Sequence, residues 1–344
     1  MKTIRILAAA LTLVCLLPRY SAQAATNNSA DCCILMDADT GAVLYEKNAD
    51  VRRLIASTTK IMTAYLVCSQ CDLDAVVQIP DEAVGVEGSS VYLQAGEELT
   101  GRELLLCMML HSGNDAATAL AVLCAGSVGD FVSQMNETAL ALGLTGTHYA
   151  NPHGLDSAEN YGTARDLAKL SAEALQNETF LQVVSTKAAT VSGGRILSNH
   201  NKLLWRCEGC IGVKTGYTKS AGRILVSAAR RNGRTLICVT VSDPNDWDDH
   251  VRLLDEGFSR YTSTALAKEG ELLCETPLTP DGVQTARLVA AVDLEYALLP
   301  DEQVRREYNG DASLFSNLYL GQPAGTVTVY VDDREVGTVP VVWG

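Results

Sequence analysis

Two groups of strand-forming segments, separated by a long helical stretch, constrain the fold of this chain most strongly. Residues 33–37 and 42–46 flank Asp39-Thr40-Gly41, a pattern that predicts a β-hairpin. Residues 223–230 and 235–241 are also typical of strands, and Asn232-Gly233 between them is a strong hairpin-turn signal. Strands on both sides of a helical middle predict one sheet, assembled from distant parts of the chain and flanked by helices.

Helix signals fill the middle of the chain. Thr100 and Glu103 have capping-box spacing and precede an apolar run that ends near Leu110. Further helices are predicted over residues 115–125, after the capping residue Ser127, after the capping residue Thr163, and over residues 248–261. The predicted fold class is therefore α/β.

The character of the chain changes again near residue 264. Beyond this point no helical period of similar strength is found, and short alternating runs such as residues 327–331 and 336–339 take over. We therefore predict three segments: a signal peptide over residues 1–24, a large domain over residues 25–263, and a small β-rich domain over residues 264–344.

The N-terminal segment has the form of a secretory signal peptide. Lys2 and Arg5 precede an apolar stretch over residues 6–17, and Ser21-Ala22-Gln23-Ala24 provides a cleavage site with small residues. Its removal would change the formal net charge from −14 to −17. An exported and strongly acidic protein is expected outside the cytoplasm, and nucleic acid is not an expected partner.

Export permits disulfide bonds, and ten of the eleven cysteines lie beyond the predicted signal peptide. Cys68/Cys71 and Cys207/Cys210 both have C-x-x-C spacing, and four such thiolates can bind zinc. The first pair follows an apolar helix, far from the second, so we favour a local Cys207–Cys210 disulfide over zinc. Three further cysteines lie in apolar runs and are expected as buried apolar residues: Cys107, Cys124 and Cys238. We predict neither a metal nor a cofactor.

Ser57-Thr58-Thr59-Lys60 is the first candidate for chemistry. If a helix begins at or just before Ser57, Lys60 lies one turn further along on the same face. A lysine amine can activate a serine hydroxyl when burial or a nearby positive charge keeps the amine neutral. The pattern alone is weak, because an exposed serine and a solvated lysine would give the same letters.

Two further short segments add polar groups suited to a peptide substrate. Ser112-Gly113-Asn114 lies at the junction of two predicted helices, where Ser112 and Asn114 can point at one spot or Asn114 can cap the helix that follows. Lys214-Thr215-Gly216-Tyr217 precedes the second hairpin. A lysine beside a hydroxyl suits a carboxylate, and Gly216 leaves open backbone for an extended peptide.

The ordered motifs Ser-x-x-Lys, Ser-Gly-Asn and Lys-Thr-Gly resemble those of the penicillin-recognising serine enzymes. The detail is similar to the low-molecular-mass penicillin-binding proteins that are D-alanyl-D-alanine carboxypeptidases. The resemblance covers nearly all of the mature chain and includes the flanking segments 37–44, 111–117, 151–156 and 163–166. It implies a β-lactamase/transpeptidase-like domain with an antiparallel sheet, followed by the small β-rich domain.

The resemblance also implies a role for each residue of the motifs. Ser57 would attack the bond between the two terminal D-alanines of a peptidoglycan stem peptide, and Lys60 would accept its proton. Ser112 would pass a proton to the leaving amine. Asn114 would hold an amide of the substrate, and Lys214 and Thr215 would hold its terminal carboxylate. Gly216 would leave open backbone for the peptide. The backbone N–H groups of Ser57 and Tyr217 would form the oxyanion hole. β-Lactam antibiotics would be covalent inhibitors.

Relatives of this kind commonly end in an amphipathic helix that lies on the membrane. The sequence here ends in the strand-like Val341-Val342-Trp343-Gly344, so membrane anchoring is not expected.

Three alternative functions match the sequence less well. A β-lactamase of the same fold would need a deacylating base, and residues 151–161 offer no persuasive match. A non-catalytic wall-binding protein would be expected to lack Ser57, Lys60 or Lys214. A Ser-His-Asp triad would need one of five histidines, none of which accompanies a Gly-x-Ser-x-Gly motif: His111, His148, His153, His200 and His250.

Overall fold

The computed structural model describes residues 27–277, 285–299, 302–310, 320–332 and 334–344. The predicted signal peptide lies outside the described residues.

Helices occupy the middle of the chain, and strands lie on both sides of them. The strands before the second hairpin are β1 Cys32–Asp37, β2 Val43–Lys47, β3 Arg53–Leu54, β4 Val76–Gln78, β5 Glu98–Thr100, β6 Tyr161–Gly162, β7 Ala188–Val191 and β8 Arg195–Ser198. The later strands are β9 Cys210–Thr218, β10 Gly222–Arg231, β11 Arg234–Val241, β12 Thr262–Ala267, β13 Leu272–Pro277, β14 Thr285–Ala290, β15 Leu294–Leu298, β16 Val304–Asn309, β17 Pro323–Val331 and β18 Arg334–Trp343. The α-helices are α1 Lys60–Gln70, α2 Gly101–Leu110, α3 Asn114–Ala125, α4 Val128–Ala141, α5 Ala164–Ala174, α6 Glu178–Ser185, α7 Leu203–Arg206 and α8 Asp246–Arg260.

The central sheet joins the two ends of the helical stretch, as predicted. Its strand order is β2-β1-β11-β10-β9, and every neighbouring pair is antiparallel. Asn232 and Gly233 form the two-residue loop between β10 and β11, with φ angles of 52° and 82°. Two positive φ angles are typical of a type I′ turn, whose twist matches that of the strands. The Asn-Gly signal therefore gave the correct turn.

Helix α1 lies in the protein interior. Seven of its residues are buried, including Lys60, and it packs against α2, α3, α5 and α6. It is preceded by a 3-10 turn at Ala56–Thr59, so Ser57 lies in this turn and Lys60 is the first residue of the α-helix. The hydroxyl and the amine still lie on the same side, because three residues complete one 3-10 turn.

The capping predictions agree with the structure at three helices. The Thr100 and Glu103 side chains form a complete capping box at α2, while Ser127 and Thr163 cap α4 and α5. The alternative role of Asn114 as a cap was wrong. Helix α3 begins at Asn114, and its N-cap residue is Gly113. The Asn114 side chain is therefore available for other contacts.

Buried side chains on the second face of the central sheet belong to the same apolar cluster as those of the C-terminal strands. Helix α8 covers this face, and one cluster of buried apolar side chains extends from Leu225 and Leu254 to Val329 and Trp343. Strands β13, β14, β18, β17 and β16 form a second five-stranded sheet, and β12 pairs with β15. The β-rich C-terminal part agrees with the prediction, although β12 begins at Thr262, two residues before the expected boundary.

The cysteine predictions were partly wrong. Cys71, just after α1, forms a disulfide with Cys124 in the last turn of α3, where the two helix ends meet with a Cα–Cα distance of 5.8 Å. Cys124 is therefore not simply a buried apolar residue, and Cys71 is not available for zinc. Cys207 and Cys210 are free thiols, so the local disulfide is absent between them.

No single helix of the described segments has the length and apolar composition to cross a membrane. The pair α3 and α4, bent by 83°, meets those two criteria only jointly.

Candidate active site

The Lys60 amine lies at the centre of a buried polar cluster. Its Nζ is 3.2 Å from Ser57 Oγ, 2.6 Å from Asn114 Oδ1 and 2.6 Å from the carbonyl oxygen of His153. A neutral amine has two hydrogens and one lone pair. If the two hydrogens are donated to Asn114 and His153, the lone pair remains for the Ser57 hydroxyl. The three contacts therefore match the requirements of a general base at Lys60.

The electrostatics of the cluster favour the neutral amine. Burial lowers the pKa of Lys60 well below its ordinary value of 10.5, the positive charge of Lys214 lowers it further, and Asp115 acts in the opposite direction. Desolvation dominates because Lys60 is fully buried and no carboxylate contacts its amine among the described residues.

Asn114 ties the amine to a neighbouring loop. Its Nδ2 donates to the carbonyl of Glu87 at 2.6 Å, while its Oδ1 accepts from Lys60. The next residue, Asp115, holds the same loop, since its carboxylate accepts hydrogen bonds from the backbone of Val91 and Leu93. A Cβ at Gly113 would lie 2.8 Å from Asp115 Oδ1, so a larger residue at position 113 would displace this carboxylate.

Ser112 and Lys214 form a second pair. Lys214 Nζ donates to Ser112 Oγ at 3.1 Å and to the carbonyl of Thr215 at 3.1 Å. Lys214 is only 2% exposed, and burial lowers its pKa from 10.5 to about 7. Ser112 has a φ of 65°, which turns the chain between α2 and α3. The structure thus brings Ser112 of one predicted motif against Lys214 of another.

Strand β9 runs close to the turn that carries Ser57. A Cβ at Gly216 would lie 3.3 Å from the backbone nitrogen of Ser57 and 3.3 Å from the carbonyl oxygen of Ile55. These distances are tighter than ordinary contacts, so the glycine lets the strand edge approach the turn that carries Ser57. Tyr217 follows on the same strand with its side chain exposed.

A cleft with a volume of about 280 Å³ opens beside Ser57. Four other predicted residues line it: Ser112, Thr215, Gly216 and Tyr217. The other three predicted residues do not line the cleft and are buried beside it: Lys60, Asn114 and Lys214. The structure therefore brings all eight predicted site residues into one region.

Several groups at the site were missed by the sequence reasoning. The His153 carbonyl acts through the backbone, which no residue pattern reveals. Arg223, Asp246 and Trp247 also line the cleft, but Arg223 was predicted only as part of a strand. Its position opposite Tyr217 in the β9–β10 register follows from strand pairing, and could have been found by aligning the two strands around their turn.

The histidines do not form a catalytic triad with Ser57. His153 reaches Lys60 through its carbonyl, and its Nδ1 accepts from the Leu155 backbone. His250 is fully buried between Ser227 and Thr240. His200 lines the cleft, where burial, followed by the charge of Lys214, lowers its pKa to about 4.

The fold and this site define the class of protein. A helix-flanked antiparallel sheet with a serine, a buried lysine and a Lys-Thr-Gly strand at one cleft describes a penicillin-recognising serine hydrolase.

Comparison with known proteins gives the family. The family model described as D-alanyl-D-alanine carboxypeptidase matches residues 19–245. The chain is 30% identical to D-alanyl-D-alanine carboxypeptidase DacF of Bacillus subtilis over 329 residues, covering 91% of this chain and 85% of that protein. It is 40% identical to the D-alanyl-D-alanine carboxypeptidase of Streptomyces sp. strain K15 over 248 residues, covering 65% of this chain and 85% of that protein.

Solved structures agree with the sequence comparison. Penicillin-binding protein 5 from Haemophilus influenzae superposes with a TM-score of 0.79 at 29% identity, covering 92% of this chain and 97% of that chain. The chain belongs to the D-alanyl-D-alanine carboxypeptidase family of serine peptidases.

Proposed function

We propose that this protein removes the terminal D-alanine from peptidoglycan stem peptides through an acyl-enzyme on Ser57. The observation that carries the proposal is the buried Lys60 amine, held by two acceptors and 3.2 Å from Ser57 Oγ. Members of the family act on peptidoglycan peptides and bind β-lactams.

In the first step, Ser57 Oγ attacks the carbonyl carbon of the penultimate D-alanine while Lys60 accepts the hydroxyl proton. Negative charge develops on the carbonyl oxygen, where the backbone N–H groups of Ser57 and Tyr217 would stabilise it. The carbon–nitrogen bond then breaks. Ser112, hydrogen-bonded to Lys214, passes its hydroxyl proton to the departing amine and receives in exchange the proton that Lys60 took from Ser57, so the Lys60 amine is neutral again. D-Alanine leaves, and the acyl group remains on Ser57 as an ester.

In the second step, water attacks the ester while the neutral Lys60 accepts one of the water's protons. The bond between the acyl carbon and Ser57 Oγ breaks, Lys60 returns the proton to Oγ, and the stem peptide leaves with one residue fewer. Thr215 would offer its hydroxyl to the substrate carboxylate, while the Lys214 charge behind it adds a favourable potential. Asn114 would bind both the Lys60 amine and an amide group of the substrate. A β-lactam would acylate Ser57 in the same way and remain bound as an ester.

The setting of this reaction follows from the predicted domains. Residues 1–24 would direct export, residues 25–263 would carry the site, and residues 264–344 would form the β-rich domain. We place the enzyme outside the cytoplasm, where stem peptides and β-lactams are found.

The test is release of D-alanine from diacetyl-Lys-D-Ala-D-Ala by the purified protein. Ser57→Ala should abolish both this release and covalent labelling by a fluorescent penicillin. Ser69→Ala is the matched control, because Ser69 is exposed near the end of α1 and its hydroxyl contacts only the backbone carbonyls of Tyr65 and Leu66 among the described residues. Rapid penicillin hydrolysis without D-alanine release would instead indicate a β-lactamase.

A further inference from the structure

Two successive carbonyls of the 151–156 loop contact helix α1. Thr63 Oγ1 donates to the carbonyl of Pro152 at 2.6 Å, and Lys60 Nζ donates to the carbonyl of His153 at 2.6 Å. Lys60 and Thr63 are three residues apart on α1, so they lie on one face of the helix. Successive carbonyls of an extended chain point to opposite sides, so the loop must turn to direct both at this face.

The side chain of Asn151 makes this turn. Its Oδ1 accepts hydrogen bonds from the backbone N–H of Gly154 at 2.6 Å and of His153 at 3.3 Å, and its Nδ2 donates to the carbonyl of Leu155 at 3.0 Å. Asparagine side chains bond the backbone two residues further on and so take the place of a backbone turn. With both N–H groups directed at Asn151, the carbonyls of Pro152 and His153 face α1.

The 151–156 loop also contacts the turn that carries Ser57. Gly154 has a φ of 91°, and a Cβ at this position would lie 1.9 Å from the carbonyl oxygen of Ala56 and 3.0 Å from the backbone nitrogen of Ser57. Asn151 itself is not one of the described residues that line the cleft. Its influence on a reaction at Ser57 therefore passes through the His153 carbonyl.

The His153 carbonyl matters most when Lys60 carries a charge. In the acylation proposed above, the Lys60 amine takes the Ser57 proton and becomes an ammonium. A hydrogen bond from a charged donor is roughly twice as strong as one from a neutral donor, so the carbonyl stabilises the ammonium more than the amine. An interaction that strengthens as the transition state forms lowers the barrier to reaction. A correctly directed carbonyl therefore speeds acylation.

We propose that Asn151 is a positioning residue for acylation, which acts by directing the His153 carbonyl at the Lys60 amine. The proposal rests on the function proposed above, in which Lys60 accepts the proton of Ser57. It gives Asn151 no contact with the substrate. Loss of the Asn151 side chain should therefore slow acylation without weakening the initial binding of a β-lactam.

The experiment follows acylation by a fluorescent penicillin in stopped-flow measurements over a range of penicillin concentrations. These separate the acylation rate constant from the dissociation constant of the initial complex. Asn151→Ala should lower the rate constant about 10- to 100-fold, the effect of losing one charge-assisted hydrogen bond. The dissociation constant and the final extent of labelling should not change.

The pH dependence of the rate constant distinguishes positioning from a general loss of structure. The ammonium of Lys60 loses an acceptor in Asn151→Ala, so the fall of the rate on acidification should begin at a lower pH than in wild type. The other groups that act on the charge of Lys60 remain in this variant: Lys214 on β9 and Asp115 on α3. Burial, followed by the charge of Lys60, lowers the pKa of the His153 imidazole to about 4, so this ring stays neutral near pH 7.

Asn177→Ala is the matched control. At the start of α6, Asn177 Oδ1 accepts from the backbone N–H groups of Thr179 and Phe180, at 2.9 Å and 3.1 Å. Its Nδ2 donates to the carbonyl of Cys68 at 3.4 Å. The variant therefore removes an equivalent set of backbone contacts at a residue that does not line the cleft. It should lower stability and keep the wild-type rate constant and pH dependence.

Asn151→Ser is the conservative variant. A serine hydroxyl can accept a hydrogen bond from a nearby backbone N–H, more weakly than an asparagine side chain, so this variant should recover part of the lost rate. If Asn151→Ala does not fold, Asn151→Ser decides the matter. A lowered rate constant with the shifted pH dependence would then support the proposal, and wild-type kinetics would overturn it.

A rate constant in Asn151→Ala within about threefold of wild type, or a lowered one with the wild-type pH dependence, would overturn the proposal and leave Asn151 a role in folding alone. An Asn151→Ser variant no faster than Asn151→Ala would also overturn it. A wild-type protein that is not labelled by penicillin and releases no D-alanine would refute the proposed function itself. Normal acylation of both wild type and Asn151→Ala would refute this inference alone.

Discussion

Replacing Lys214 with methionine should abolish activity and yet stabilise the protein at neutral pH. Burial lowers the pKa of Lys214 from its ordinary value of 10.5 to about 7, and the difference between these values corresponds to about 5 kcal/mol. Methionine has a similar shape and no charge. The lost hydrogen bonds to Ser112 and Thr215 are each worth about 1 kcal/mol. The variant should therefore be about 2 to 3 kcal/mol more stable at pH 7.

The sign of the pH dependence follows from the lowered pKa. Between about pH 7 and 10.5, the unfolded state binds a proton at Lys214 that the folded state does not. Above pH 10.5, Lys214 is neutral in both states and the folded protein has its full stability. As the pH falls from 10.5 to 7, protonation of Lys214 in the unfolded state lowers the free energy of unfolding. Between pH 7 and pH 9 it changes by about 2 kcal/mol, so the advantage of the variant should shrink by about that amount.

The assay is urea unfolding of wild type and Lys214→Met at pH 7, 8 and 9, followed by tryptophan fluorescence. Lys219→Met is the control, because Lys219 is exposed in the turn after β9 and its loss changes the net charge equally. It should alter the free energy of unfolding by less than about 0.5 kcal/mol at each pH. A Lys214→Met variant less stable than wild type at pH 7, or a difference that does not vary with pH, would refute the reasoning.

Three other perturbations test separate parts of the site and fold. Asn114→Ala removes an acceptor of the Lys60 amine and the hydrogen bond to the Glu87 carbonyl. It should slow acylation by a fluorescent penicillin about 10- to 100-fold in stopped-flow measurements, and an unchanged rate would exclude a role of Asn114 in acylation. In wild type, the acylation rate should be maintained at pH 7 and fall on acidification through the lowered pKa of Lys60, whereas a rate still climbing toward pH 10 would contradict a neutral amine. Cys71→Ser removes a disulfide between cysteines 53 residues apart and should lower the free energy of unfolding by about 4 kcal/mol. Cys207→Ser, which alters a free thiol, is the control. Equal losses of stability in the two variants would contradict the Cys71–Cys124 pairing.

Features encoded within a few residues could be predicted from the sequence. The capping box of Thr100 and Glu103 and the Asn232-Gly233 turn depend on local hydrogen bonds and φ angles. The shared sheet could be predicted because strand patterns lay on both sides of a helical middle. Ser57 and Lys60 could be paired because they are one turn apart.

Features that depend on the packing of distant segments could not be predicted. The partner of Cys71 is fixed by where α1 and α3 end, and the sequence allowed several pairings. The acceptor from His153 is a backbone carbonyl, which leaves no trace in residue type. Arg223 lies in a largely apolar strand, where no motif marks it as a residue of the site. Its position in the cleft follows from the strand register and from its contact with Asp246.

The most direct test of the central claim is the ionisation state of Lys60 in the folded enzyme. Protein labelled with ¹⁵N at the lysine Nζ and ¹³C at Cε would be titrated by NMR, with the Lys60 signal assigned from its absence in Lys60→Arg. The structure predicts a neutral amine at pH 7, with a pKa well below 10.5 because of burial and the neighbouring Lys214. An ammonium at Lys60 that titrates near 10.5 would contradict its role as the base that activates Ser57.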